Sequence, residues 1–133
     1  MVLKLDIGPV YSMDVTKHVD ANCVAVEREL VFDIDMDEYD SVRTCCTGKT
    51  VCRHCFQFLI AAVKVIDAVM RNDFGFKHIL YVFSGRRGVH CWVADKAART
   101  MSKEVRSAVV QVRTYNTAFN RINAMRFYLN LYS

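Results

Sequence analysis

Two aspartates that lie two residues apart have the spacing needed to bind divalent cations together. Asp33 and Asp35 belong to the segment ELVFDIDM, residues 29–36, where apolar and other residues alternate as in a β-strand. Residues two apart on a strand share a face and are separated by roughly 6.5–7 Å along the chain. Carboxylates in that arrangement suit one or two Mg²⁺ or Mn²⁺ ions, as in sites of phosphoryl transfer. A strand that ends in water with a hydrophilic tip is the simpler interpretation.

Three further carboxylates follow the pair, at Asp37, Glu38 and Asp40. This density of negative charge is costly unless the groups are solvated or meet cations. The aspartates at alternate positions also match the spacing of a calcium loop. That interpretation fails because Glu38 stands where the motif requires glycine, and Thr44 stands where it requires a bidentate glutamate.

A cluster of thiols is the second feature that could do chemistry. Four of the six cysteines lie close together in the sequence: Cys45, Cys46, Cys52 and Cys55. Four thiolates can close a tetrahedral zinc site, and the bound metal would order a loop with little core of its own. Such a site has no open coordination position, so we expect it to be structural.

Other interpretations of the cluster remain open. His54 could replace one cysteine as a ligand. A redox-active C-x-x-C motif would account for Cys52 and Cys55 but not for the adjacent pair before them. A disulfide framework is the weaker explanation, because the N-terminus lacks the apolar stretch of a secretion signal. Cys91 lies apart, on the apolar side of a predicted strand, and is expected in the core.

The third feature is the segment FSGRRGVHCW, residues 83–92, in which two arginines lie between two glycines. The glycines allow a tight turn, and the guanidinium groups of Arg86 and Arg87 suit phosphate oxygens. His90 shares a strand face with Trp92 and could contact a phosphate or transfer a proton. A solvated hairpin turn is equally compatible with the segment alone. It resembles neither a P-loop, which continues into a helix, nor the helix-joining GXXG loop of RNA-binding KH domains.

The elements that must position these residues follow from hydrophobic periodicity. We predict strands over 29–36, 78–84 and 89–94, a helix over 52–72, and a helix capped by Ser102. Residues 37–51 are predicted to be an irregular loop. The order of elements predicts an α+β fold with a mainly antiparallel sheet flanked by helices.

Composition permits a single domain with a substantial core. The chain has 133 residues, of which 53% are hydrophobic, and a net charge of +4. A mildly basic balance allows a polyanionic partner without requiring one. The longest apolar run, 56–70, contains charged residues and is too short to span a membrane.

The order of these motifs is more specific than any of them alone. DIDM, the CC…CxxC loop and DFGFKH…SGRRGVHCW together closely resemble the small catalytic subunit of archaeal and eukaryotic DNA primases, and the eukaryotic type best. The resemblance runs from about Leu3 to Val109, whereas 110–133 is a tail without a recognisable motif. It implies the primase-polymerase (archaeo-eukaryotic primase) catalytic core with an inserted zinc-binding loop. It also implies synthesis of short RNA primers on single-stranded DNA from ribonucleoside triphosphates.

The resemblance also implies a role for each site residue. Asp33 and Asp35 match the catalytic aspartates that bind Mg²⁺ or Mn²⁺, and the four clustered cysteines match the ligands of a structural zinc. The residues that match nucleotide-binding positions are Asp6, Ser84, Arg86, Arg87 and His90. Implied partners are a large primase subunit and the replicative DNA polymerase alpha complex, and the implied location is the nucleus.

The sequence departs from the family pattern in two important respects. The family uses a third metal-binding aspartate far downstream of SGRRG, and no counterpart is found here. Family segments that normally precede Leu3 are also missing, so we expect a truncated piece of the catalytic subunit. The competing hypothesis is a non-catalytic, zinc-containing module that binds nucleic acid or another protein.

Overall fold

A computed structural model describes residues 7–14, 16, 23–112 and 128–129. Asp6, one of the predicted nucleotide-binding residues, lies outside the described residues. Most of the tail 110–133 lies outside them as well, apart from 110–112 and 128–129.

The described residues form two antiparallel sheets. The strands are β1 (Val10–Tyr11), β2 (Ala25–Glu27), β3 (Leu30–Asp35), β4 (Ile79–Phe83), β5 (Gly88–Val93) and β6 (Tyr128–Leu129). The first two strands pair with each other, and the other four form a sheet of order β4-β5-β3-β6. Every pair of neighbouring strands is antiparallel, which confirms the predicted sheet type.

The side chains of strand β3 alternate between the two faces of the larger sheet. Leu30, Phe32 and Ile34 are at most 2% exposed and form the centre of the core. Asp33 and Asp35 alternate with them and are only partly buried. Successive side chains on a strand point to opposite faces, so the two carboxylates share the face away from the core, as the sequence predicts.

Helix α1 (Phe56–Asn72) covers the apolar face of the sheet. Its buried residues recur at three- and four-residue intervals: Leu59, Ala62, Ile66 and Met70. The predicted start of this helix, near Cys52, is wrong by one turn. The N–H of Phe56 donates to the carbonyl of Cys52 at 2.9 Å, while 52–55 form a turn that brings cysteine sulfurs together.

The segment after β3 is more ordered than the sequence indicates. Met36–Tyr39 forms a 3₁₀ turn, whereas we expect Met36 to end the strand and an irregular loop to follow it; the side chains of Met36 and Tyr39 are fully buried. The Asp35 carboxylate accepts the backbone N–H of Asp37 at 3.3 Å and thereby caps this turn. These two apolar anchors hold the acidic segment and the cysteine loop against the core.

The second half of the described chain completes the core. Cys91 is fully buried in β5, as predicted. After β5 come two helices, α2 (Lys96–Arg99) and α3 (Lys103–Val112). The hydroxyl of Ser102 accepts the N–H of Val105 at 3.4 Å, which confirms the predicted cap. None of the helices in the described part of the chain is both long and apolar enough to cross a membrane.

Candidate functional site

The register between β3 and β5 brings the acidic pair beside the glycine-arginine segment. Asp33 lies opposite His90, and Asp35 lies opposite Gly88. The Nε2 atom of His90 is 3.3 Å from a carboxylate oxygen of Asp33, and both side chains remain partly exposed. Two motifs that are far apart in the sequence therefore meet on one face of the sheet.

Arg87 connects the turn to two carboxylates. Its Nε atom lies 2.9 Å from Asp35 Oδ1, and its Nη2 atom lies 2.9 Å from Asp37 Oδ2. Hydrogen bonding with the Asp35 carboxyl, together with partial burial, raises the pKa of Asp37, while the charge of Arg87 opposes that rise. We expect the crowded carboxylates to be solvated or to meet cations, and Asp37 meets the cation Arg87. Its specific partner depends on strand pairing, so periodicity did not identify it.

The turn itself is closed by Ser84 and Gly88. The Ser84 hydroxyl accepts the N–H of Gly88 at 3.0 Å, and Gly85 has φ +84°, a conformation that favours glycine. Arg86 is exposed and makes no hydrogen bond or ion pair with any residue that the structure describes. It is therefore the guanidinium in this turn that is most accessible to an incoming anion.

The chemistry of this face follows from its charges. Asp33 and Asp35 offer oxygen ligands for divalent cations, and Arg86 offers a bidentate donor for phosphate. His90 and Arg87 already contact the two aspartates. A phosphate-containing molecule that bound both the cations and the arginines would therefore rearrange these contacts. Such a face can bind a cation together with a phosphate-containing molecule.

The four clustered cysteines form a second candidate site. The sulfur atoms of Cys45, Cys46, Cys52 and Cys55 all lie within 4.8 Å of one another. The sulfurs of Cys52 and Cys55 are 3.8 Å apart. A tetrahedral zinc site with Zn–S bonds of about 2.3 Å requires sulfurs separated by about 3.8 Å. The cluster therefore fits a metal ion such as zinc, in agreement with the spacing of the sequence.

The thiols of this cluster do not titrate alike. Backbone N–H groups of Cys55 and His54 lower the pKa of Cys52 to about 6. Burial, followed by hydrogen bonding with Cys52, raises the pKa of Cys46 to about 12. A thiolate is the form that binds metal, so the lowered pKa of Cys52 favours its role as a ligand.

Sequence reasoning missed the side chain at the centre of the cysteine loop. Arg43 is only 4% exposed, although arginine is rarely buried unless it is paired. It forms an ion pair with Asp40, three residues earlier. That spacing of opposite charges was the signal in the sequence that could have identified the pair. Hydrogen bonding to the N–H of Gly48 and to Arg43 lowers the pKa of Asp40.

A ring contact links the helix that follows the cysteine loop to the strand that precedes the glycine-arginine turn. The rings of Phe56 and Phe83 meet edge to face, with centroids 6.1 Å apart. Phe56 follows the last cysteine of the cluster, and Phe83 precedes the glycine-arginine turn. This contact joins the start of α1 to the end of β4, next to the turn that presents Arg86.

Comparison with known proteins agrees with this arrangement. The DNA primase small subunit family matches residues 32–130, which include both aspartates, the cysteine loop and the turn. The DNA primase small subunit of Drosophila melanogaster is 50% identical over 111 residues, covering 82% of this chain and 25% of the relative. That of Caenorhabditis elegans is 52% identical over 109 residues, covering 80% and 26%.

Archaeal relatives are more distant. The DNA primase small subunit PriS of Halorubrum lacusprofundi is 34% identical over 83 residues, covering 62% of this chain and 20% of the relative. The chain thus spans about a quarter of the length of the curated relatives it matches. The resemblance seen in the motifs is confirmed, and the better match is to the eukaryotic proteins.

Proposed function

The chain belongs to the DNA primase small subunit family, and on that premise we propose that it acts in the DNA-templated synthesis of short RNA primers. The substrates are ribonucleoside triphosphates, and the template is single-stranded DNA. The observation that supports this best is the β3–β5 register, which places Asp33 beside His90 and Asp35 beside the glycine-arginine turn. A nucleotidyl transfer site needs this combination, because a triphosphate binds both divalent cations and arginines.

The catalytic role is assigned to the acidic pair. Asp33 and Asp35 share the open face of β3 and would hold Mg²⁺ or Mn²⁺ through their carboxylate oxygens. Ions held by these carboxylates would, when bound, supply Lewis-acid activation of the primer 3′-hydroxyl and would offset the charge of the triphosphate. A third metal-binding aspartate, which the family pattern includes, is not assigned to a residue here.

The nucleotide-binding role is assigned to the turn and to β5. Arg86 is exposed and would take the triphosphate through paired N–H donors. Arg87 and His90 would orient it beside the aspartates that they contact. Ser84 supports the turn through its hydrogen bond to Gly88. Asp6 is proposed near the nucleotide on the resemblance alone, since it lies outside the described residues.

The cysteine cluster is assigned a structural zinc. All four sulfurs would be ligands, which leaves no open position for substrate. The α+β arrangement with antiparallel sheets fits the primase-polymerase core, with the cysteine loop as an insertion between β3 and α1. The proposed partners are a large primase subunit and the DNA polymerase alpha complex, in the nucleus.

Nucleotide binding tests the site assignment. Titration of the chain with a fluorescent ribonucleoside triphosphate in Mn²⁺ should show binding that disappears when the metal is omitted. Asp33→Ala should abolish the metal-dependent binding and Arg86→Ala should weaken it at least ~10-fold, since each removes a proposed contact to the nucleotide or its metal. Arg71→Ala is the matched control, because that arginine pairs with Asp67 on α1 and should bind nucleotide normally.

The same titration separates the two hypotheses. Metal-dependent binding that survives both Asp33→Ala and Arg86→Ala would show that the site is wrongly placed. A non-catalytic module would instead bind single-stranded DNA with strong salt dependence and show no metal-dependent nucleotide binding.

A further inference from the structure

Arg43 occupies an unusual position between the two cysteine pairs. Of the charged side chains that the structure describes, it is the one that is buried, with 4% of its surface exposed. Neither the acidic site nor the proposed zinc ligands account for a buried cation there. Its contacts indicate what it does.

The guanidinium holds the cysteine loop from inside. Nη2 donates to the carbonyl of Gly48 at 2.6 Å, and Nη1 donates to the carbonyl of Thr50 at 2.8 Å. Nε donates to Asp40 Oδ1 at 2.6 Å, and the other oxygen of Asp40 accepts the N–H of Gly48 at 2.7 Å. Arg43 and the carboxylate of Asp40 together fix the backbone between Cys46 and Cys52.

The same guanidinium also reaches a sulfur of the cluster. Nη1 of Arg43 lies 3.8 Å from the sulfur of Cys55, within hydrogen-bonding range for sulfur. Cys55 is fully buried, so water does not reach its sulfur. Four thiolates around one Zn²⁺ carry a net charge of about −2, and a buried cation beside one of them offsets part of that charge.

We propose that Arg43 is a positioning residue for the cysteine cluster, one that both closes the loop and stabilises the thiolate of Cys55. This inference rests on the zinc assignment made above. Groups that hydrogen-bond to metal ligands typically contribute 10–100-fold to metal affinity. The guanidinium is suited to this work because its planar fork reaches two carbonyls, a carboxylate and a sulfur at once.

Zinc affinity measured by competition with a chromophoric chelator tests the proposal. Arg43→Met should weaken zinc binding by about 10–100-fold relative to the unmodified chain. Arg53→Met is the matched control, since it removes the same charge from an exposed position within the same loop and should bind zinc normally. Equal affinity in Arg43→Met and Arg53→Met would overturn the proposal.

A spectroscopic measurement distinguishes the contact with sulfur from a purely structural role. In the Co²⁺-substituted protein, donation of an N–H to Cys55 lowers the energy of its sulfur electrons. Loss of Arg43 should therefore move the thiolate-to-cobalt charge-transfer band to longer wavelength, and Arg53→Met should leave it in place. An unchanged band in a folded Arg43→Met protein would exclude the contact with the thiolate.

Arg43→Lys keeps the test decisive if Arg43→Met fails to fold, as judged by circular dichroism. An ammonium group keeps the charge but cannot span both carbonyls and the carboxylate, so zinc affinity should still fall. A zinc affinity that does not fall in Arg43→Lys would overturn the role proposed for the planar guanidinium. Failure of the unmodified chain to bind zinc would instead overturn the zinc assignment itself.

Discussion

Gly88 lies opposite Asp35 in the β3–β5 ladder, where the two backbones approach closely. A Cβ atom at this position would lie 2.9 Å from the carbonyl oxygen of Ile34 and 3.3 Å from the Ser84 hydroxyl. Both neighbours belong to the framework of the site, and the nearer one is backbone that cannot rotate away. The spacing between the acidic strand and the turn therefore depends on the absence of a side chain.

Gly88→Ala should consequently destabilise the protein by about 1–3 kcal/mol, the usual cost of forcing an extra methyl group into a packed site. Urea denaturation followed by circular dichroism measures this change. Gly8→Ala is the control, because a Cβ atom there would meet nothing within 4 Å. Equal stability of the two variants would show that β3 and β5 separate easily at the site.

At the scale of elements, Asp95 joins the ends of the β4–β5 hairpin. Its carboxylate accepts the N–H of Lys77 at 3.1 Å and the N–H of His78 at 2.9 Å, just before β4 begins. Burial works against the charged carboxylate, but the backbone and ring donors of His78 and the N–H of Lys77 outweigh it. They lower the pKa of Asp95 below its ordinary value of 3.8.

This lowered pKa predicts a pH dependence with a definite sign. The stabilisation is fully present above the ordinary pKa of 3.8 and is lost as the pH falls through the lower folded-state value. Asp95→Asn should thus be less stable than the unmodified chain at neutral pH, by about 1–2 kcal/mol. The difference should shrink in strong acid. Thermal unfolding as a function of pH measures it, and a difference that stays constant into acid would contradict the prediction.

The elements show which parts of the structure local pattern determines. The sequence predicts β3, β4 and β5 to within one residue at each end, because each strand has its own alternation of apolar side chains. It does not predict the 3₁₀ turn at Met36–Tyr39 or the burial of Arg43. Those features depend on contacts with residues that pattern alone cannot place nearby.

The candidate site likewise has features that local pattern predicts and features that depend on long-range contacts. Alternation along one strand is local, so it correctly predicts that Asp33 and Asp35 share a face. The pairing of Asp33 with His90 and of Asp35 with Arg87 depends on strand register, a long-range property. The cysteines are close in sequence, so their proximity was predicted, whereas the arginine among them was not.

At the scale of the whole molecule, the cysteine loop is part of the core. Cys55 is fully buried within the core cluster, and Cys46 and Cys52 pack against it, as do residues of α1. A metal ion held by these cysteines would therefore be linked to global stability as well as to the shape of one loop.

Removal of metal should accordingly lower the unfolding temperature of the entire chain. Scanning calorimetry before and after dialysis against a strong chelator measures the effect, and added Zn²⁺ should restore the original transition. Protein purified without chelator should contain about one zinc per chain. A transition that chelation leaves unchanged would argue against a bound metal that contributes to folding.

The register of β3 against β5 also has a consequence for how the chain folds. A slip of one residue would turn Asp33 and Asp35 towards α1 and expose Phe32 and Ile34 to water. Burying two carboxylates without partners costs several kcal/mol each, so the misaligned register would be strongly disfavoured. The acidic residues proposed for catalysis therefore also favour a single alignment of these two strands during folding.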